Sequence, residues 1–159
     1  MSSDGDGDLD LLSGSTEGGV QWAENLAGAG KPPRLEPFQS LIPKSPPIEY
    51  GQILRDSDLK GPVGNTRIWV DDLNSDGKLD ILVGDMASLI SPADGLSEAE
   101  FKKKFAAWMK SREEVSANAG ANDPKKQAEA QKQFQEVYQR RTEFMKEDMT
   151  GFVWLYLRK

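Results

Sequence analysis

Apolar residues recur along the chain with two different periods. Ile68 and Val70 alternate with polar neighbours before an acidic loop, and Leu79, Ile81 and Val83 alternate after it, which predicts a strand-loop-strand unit. Between residues 26 and 66 the text is rich in Gly and Pro, including Gly28, Gly30, Pro32, Pro33, Pro37, Pro43, Pro46 and Pro47. Proline withholds a backbone donor and breaks helices, so this stretch predicts short edge strands around residues 38–42 and 50–54 and no long helix. The period changes at Ser97. Ser97 and Glu100 form a capping box, and Phe101, Phe105, Trp108, Met109 and Val115 then fall on one helical face. A break at residues 118–122 precedes Asp123 as N-cap and Pro124 at the first helical position of a second helix. Its stripe is Ala130, Phe134, Val137, Tyr138, Arg141, Phe144 and Met145. Two such helices joined by a short polar turn predict an antiparallel hairpin whose aromatic stripes pack on each other and on the sheet.

The β-like text contains an internal repeat. Asp4-Gly5-Asp6-Gly7-Asp8-Leu9-Asp10-Leu11-Leu12-Ser13-Gly14 is echoed by Asn74-Ser75-Asp76-Gly77-Lys78-Leu79-Asp80-Ile81-Leu82-Val83-Gly84. A Gly-apolar-x-Trp strand follows each copy, at Gly19-Val20-Gln21-Trp22 and Gly151-Phe152-Val153-Trp154. The unit is loop, strand, connection and Trp strand, and in the second copy the connection has grown to about sixty residues, as insertions in loops of repeat proteins do. This predicts β blades from 1–90 plus 150–159, interrupted by an inserted helical hairpin over 91–149. Trp22, Trp154 and Trp108 read as core residues, and Trp69 stands beside the second loop.

The second ladder carries the chemistry. Counting Asp72 as the first position, Asp72, Asn74, Asp76 and Asp80 place side-chain oxygens at positions one, three, five and nine. Lys78 at position seven offers its carbonyl, and Gly77 at six can take a positive φ. Alternating oxygen donors around a tight reversal are what a hard cation held at about 2.4 Å requires, and carboxylates so crowded repel one another without one. An EF-hand would need Glu at position twelve and flanking helices, whereas position twelve is Val83 and the flanks are strands. Asp80 then becomes the expected bidentate ligand. Setting Asp10 against Asp80 places Ser2, Asp4, Asp6, Asp8 and Asp10 in the same roles, with a hydroxyl in place of the first carboxylate and Asp8 offering its carbonyl.

Composition narrows the chemistry further. The 159 residues include no Cys and no His, which excludes thiol catalysis, disulfides, imidazole general bases and thiolate or imidazole metal sites. Oxygen ligation of calcium remains. The net charge is −6, from 20 basic and 26 acidic residues, and it repels nucleic acid. Residues 97–149 are nearly balanced, so the acidity resides in the β-like part. No apolar run is long enough to span a bilayer, and no signal peptide opens the chain.

The ladder from Asp72 to Asp80, with Leu79, Ile81 and Gly84, resembles the loops of the FG-GAP/VCBS repeat family, the integrin-α-like calcium-binding β-propeller blades. The exit Ala23-Glu24-Asn25 followed by Gly28, Pro33 and Pro37 is similar to the link between such blades, and the closing 150–159 segment is similar to blade ends of large secreted bacterial members, where a helical insertion often precedes the last strand. The resemblance covers about residues 1–85 and 150–159. It implies a mainly β fold of about two propeller-type blades, calcium as cofactor, and an extracellular, cell-surface or periplasmic protein that binds a protein or glycan partner. It nominates no ligand-binding residue. The expected function is a non-enzymatic adhesion or recognition module, a fragment of a longer propeller whose open sheet edges favour self-association. The competing expectations are part of a polysaccharide-degrading enzyme and a docking module acting through the helical hairpin.

Overall fold

The structure, a computed structural model, describes residues 9–118 and 124–159. Among the described residues, six strands and two α-helices follow in the order β1 (Leu11–Gly14), β2 (Val20–Ala23), β3 (Gln39–Ile42), β4 (Arg67–Asp71), β5 (Asp80–Pro92), α1 (Glu98–Asn118), α2 (Pro124–Gln139) and β6 (Met145–Tyr156). Short 3-10 turns occupy Asp56–Asp58 and Arg140–Glu143. The strands form two three-stranded antiparallel sheets, β1-β2-β3 and β4-β5-β6.

The expected mainly β fold of propeller-type blades is not what forms. With 28% of residues helical and 32% in strands, the chain is a mixed α and β protein and closes no propeller. Part of the reason lies in strand length. β5 and β6 run for 13 and 12 residues, at least double the roughly 5–6 residues of an ordinary strand, and each sheet stops at three strands.

The chain divides into two compact units. One comprises the residues up to Ile48 together with Asp56–Ser88 and Met149–Lys159; the other comprises Glu49–Arg55 and Leu89–Asp148. In the first, β1 pairs with β2 from Leu11↔Ala23 to Gly14↔Val20, and β4 pairs with β5 from Arg67↔Gly84 to Asp71↔Asp80. The predicted alternation explains the core of this unit: Val20, Ile42 and Val83 are buried, with Leu12, Ile68, Ile81, Trp154 and Tyr156 packed against them. Trp154 thus belongs to a core, although its indole N–H is buried without a hydrogen-bond partner. The pairing slips by one residue between Val20↔Ile42 and Gln21↔Ser40, which leaves Leu41 as a bulge near the end of β3 and bends that strand.

Polar groups that the hydrophobic pattern passes over tie this unit together. The Thr66 hydroxyl accepts the Ser15 N–H at 2.6 Å and donates to the Gly19 carbonyl at 2.9 Å. The buried Asp85 carboxylate accepts the N–H groups of Val63 at 2.7 Å and Phe152 at 3.2 Å. A carboxylate taken out of water needs such donors, and backbone amides supply them here.

In the second unit the capping box forms as its sequence requires. The Ser97 hydroxyl accepts the Glu100 N–H at 3.3 Å while the Glu100 carboxylate accepts the Ser97 N–H at 2.9 Å. Ile90, Phe101, Trp108, Phe144 and Met145 form its buried cluster, with Ile53, Leu96, Phe105 and Val137 against it. The Trp108 indole donates to the Val137 carbonyl at 2.6 Å, linking α1 to α2 and satisfying the ring's polar edge. Three details depart from the sequence expectation. The 50–54 edge strand reduces to a single bridge, Leu54↔Ile90, with Tyr50 against Phe105 and Trp108. Helix α2 ends at Gln139, so Arg141, Phe144 and Met145 leave its stripe. Strand β6 begins at Met145, six residues before Gly151. The expected break falls mostly on residues 119–122, which with Asp123 lie outside the described residues.

Candidate metal centre

The 72–80 turn joins β4 to β5, and its antiparallel strands bring Asp71 opposite Asp80. The chain reverses through Ser75 at φ +60° and Gly77 at φ +81°. The left-handed region at position six is the one expected of glycine, and a Cβ there would be strained by conformation alone.

The oxygen-bearing side chains turn inward on the loop's own amides. Asp72 accepts the Asp76 N–H at 3.0 Å through Oδ1 and the Gly77 N–H at 2.9 Å through Oδ2. Asn74 Oδ1 shares the Asp76 N–H at 3.0 Å, and Asp76 Oδ1 accepts the Lys78 N–H at 2.9 Å. The Asn74 amide also donates to Asp76 Oδ2 at 3.3 Å. Asp72, Asn74 and Asp76 therefore share one concave side of the turn. Each carboxylate oxygen keeps a second lone pair beyond the amide it accepts.

Asp80 behaves differently. It is fully buried, its Oδ2 accepts the Leu73 N–H at 3.1 Å, and its Oδ1 accepts the Arg158 N–H at 3.0 Å. Its carboxylate thereby clips the start of the loop to the end of β6. Among the described residues, no three or more Asp or Glu side chains gather as a metal-holding group. Asp72 and Asp76 share the turn, and Asp80 is engaged below it. The donor set itself fits a hard cation: all oxygen, two carboxylates and an amide on one turn, and the Lys78 carbonyl at the seventh position.

In the first repeat, Ser2, Asp4, Asp6 and Asp8 lie outside the described residues. Asp10 lies within them, and its Oδ1 accepts the Asn25 N–H at 3.0 Å, just beyond β2. Asp10 and Asp80 thus perform the same clip, each holding the backbone that follows its repeat's Trp strand. Asn25 is itself buried and accepts the Ala27 and Arg34 N–H groups at 3.2 and 2.8 Å.

Beside the 72–80 loop the first unit holds a cleft of about 480 Å³ whose walls include Leu12, Trp22, Leu41, Val70, Leu79 and Tyr156, with Asp10 and Arg158 contributing charge. Leu79 stands between Lys78 and Asp80, so one wall of the cleft is part of the loop. Burial, and then the Asp85 carboxylate, push the Tyr156 phenol above its ordinary range, so it stays a neutral hydroxyl at physiological pH. Sequence reasoning missed Asp85. Its signal was present: in β5 it takes the inward parity of Ile81, Val83 and Ala87, where an acidic residue requires a buried partner.

No family model matches the chain, and no curated protein or solved structure is similar to it. No helix among the described residues is long and apolar enough to cross a membrane.

Proposed function

We propose that the 72–80 turn binds one calcium ion through Asp72, Asn74, Asp76, Asp80 and the carbonyl of Lys78, and that the chain is a non-enzymatic, calcium-stabilised recognition module. The observation that carries this reading is the convergence of Asp72, Asn74 and Asp76 on three successive amides of one turn, Asp76, Gly77 and Lys78. A merely structural Asx turn needs one such side chain, whereas three at alternate positions create an excess of oxygen that a cation relieves. Calcium supplies charge neutralisation and order to the loop.

The non-enzymatic reading draws support from the carboxylates themselves. Those of the loop and Asp85 accept backbone amides, and no acid/base pair stands out among the described residues. Recognition of a protein or glycan partner is assigned to the cleft, whose aromatic wall residues Trp22 and Tyr156 suit an apolar side chain or the face of a sugar ring. Because Leu79 belongs to both loop and cleft, metal binding orders a wall of the recognition surface. For an exposed loop with this ligand charge the expected Kd is on the order of 10⁻⁵–10⁻³ M, from the weakest sensor sites to extracellular modules.

Thermal melting tests the reading. A ligand that binds the native state alone stabilises by about 2.7 kcal/mol at one hundred times Kd, which for a chain of this size raises the melting temperature by roughly 5–10 °C. Calcium in that excess should produce this rise and a chelator should reverse it. Superimposable melts with calcium and with chelator would mean that the loop is a turn and nothing more.

A further inference from the structure

The face of the β4-β5-β6 sheet opposite its core is apolar, exposed and charge-patterned, and we propose that it packs two copies of this chain together about a two-fold axis. Alternation defines the face. Ile68, Ile81, Val83, Trp154 and Tyr156 point to the core, so their strand neighbours Trp69, Leu82, Val153 and Leu155 point away from it. Trp69 is directly opposite Leu82 in the ladder, which places both on one side of the sheet. Leu82 is half-buried and the others are open to solvent: Trp69 is 63% exposed, Val153 74% and Leu155 53%, and Met86 and Met149 on the same parity are 45% and 66% exposed. A soluble surface seldom gathers so many large apolar groups on one face without a partner for it.

The occupant is identified by complementarity. Outward residues of β4 read Arg67, Trp69 and Asp71, positive, aromatic and negative in order. A two-fold axis lying in the interface and crossing the strands at Trp69 runs β4 antiparallel to its copy. Arg67 of each chain then faces Asp71 of the other, and Trp69 faces Trp69. The same operation stacks β5 on β5 and β6 on β6, as aligned sheets do at about 10 Å separation, with Leu82 on its own copy and Gly84 facing the partner strand's Asp80. Such an isologous contact is self-complementary by construction. A patch needing a different protein would have no reason to carry a pattern that pairs with its own reversal.

The apolar centre of the contact is compact. Trp69, Val153 and Leu155 supply it, and Met86, four residues along β5 from Leu82, lies toward its rim. A standard interface takes about 800 Å² from each partner, so this smaller patch makes a weak, concentration-dependent dimer. At the middle of the face Gly84 leaves a gap, where an added Cβ would come only within 4.0 Å of the Arg67 carbonyl. The residues substituted in the test below, Arg67 and Asp71, are not proposed calcium ligands.

Sedimentation equilibrium of the full chain tests it. The wild type should sediment as a dimer in a concentration-dependent manner. Arg67→Asp and Asp71→Arg should each weaken the dimer by about a hundredfold or more, because like charges then face each other across the interface. An equimolar mixture of the two variants should form a mixed dimer, since the first presents two carboxylates at these positions and the second presents two guanidinium groups to meet them. The double variant Arg67→Asp/Asp71→Arg should dimerise as the wild type does. A wild type that remains a monomer at about 0.5 mM, where even weak dimers form, would overturn the proposal. So would single variants with native circular dichroism that dimerise unchanged, or a mixture that fails to restore the dimer.

Discussion

Asp76 and Asp80 stand four positions apart in one ladder, and their surroundings assign them different energetic roles. Asp76 is exposed, and its carboxylate gathers the turn. Asp80 is fully buried and holds two backbone N–H groups, one from Leu73 and one from Arg158. Removing a buried acceptor leaves its donors unpaired at about 1–3 kcal/mol, whereas an exposed substitution costs within about 0.5 kcal/mol. Urea unfolding in chelator should therefore find Asp80→Ala destabilised by about 1–3 kcal/mol and Asp76→Ala close to wild type. Equal losses would mean that the clip to Arg158 contributes nothing. The spacing of the ladder was legible in the sequence because donors at alternate positions are a local property. The burial of Asp80 was not, because its second partner lies 78 residues away. Each Asp80 oxygen accepts one amide in the folded chain and keeps a second lone pair for the proposed ion.

At the scale of single elements, α1 shows how a local signal becomes stability. The Ser97 hydroxyl first, and then its N–H, hold the Glu100 carboxyl below the usual carboxylate range. A carboxylate favoured in the folded state contributes stability above its unfolded pKa and loses it as the pH falls through the lowered folded value. Ser97→Ala should cost about 1 kcal/mol at pH 7, and the penalty should shrink between about pH 5 and pH 3 as Glu100 is protonated. A penalty independent of pH would separate the cap from its carboxylate. Within the same unit, Trp108 is 5% exposed and its indole reaches the Val137 carbonyl. Trp108→Ala should destabilise the helical unit by about 3–5 kcal/mol, read as an earlier loss of helical ellipticity on heating. The start of α1 was legible from its capping box, that of α2 from Pro124, and the core strands β4 and β5 from alternation. The end of α2 was not. Phe144 and Met145 continue a helical stripe in the text, but the Phe144 carbonyl accepts the Ala93 N–H and Met145 opens β6, so strand pairing overrides a weak local preference.

At the scale of the whole chain, the repeat was visible as an offset between ladders, and its physical counterpart is the clip that Asp10 makes to Asn25 and Asp80 makes to Arg158. What the repeat does not encode is how its sheets associate. Resemblance to propeller loops led to a mainly β expectation, and two three-stranded sheets with 28% helix replace it. Loop chemistry is specified within nine residues, whereas blade assembly depends on strand number and length, which the loops leave open. The proposed function therefore rests on the turn from Asp72 to Asp80 and on its affinity for calcium. Isothermal titration of calcium into the full chain, beside Asp76→Ala, tests that claim most directly. One saturable binding heat with Kd on the order of 10⁻⁵–10⁻³ M, abolished in Asp76→Ala, is the predicted result; heat that persists unchanged in that variant, or no heat in the wild type, would contradict it.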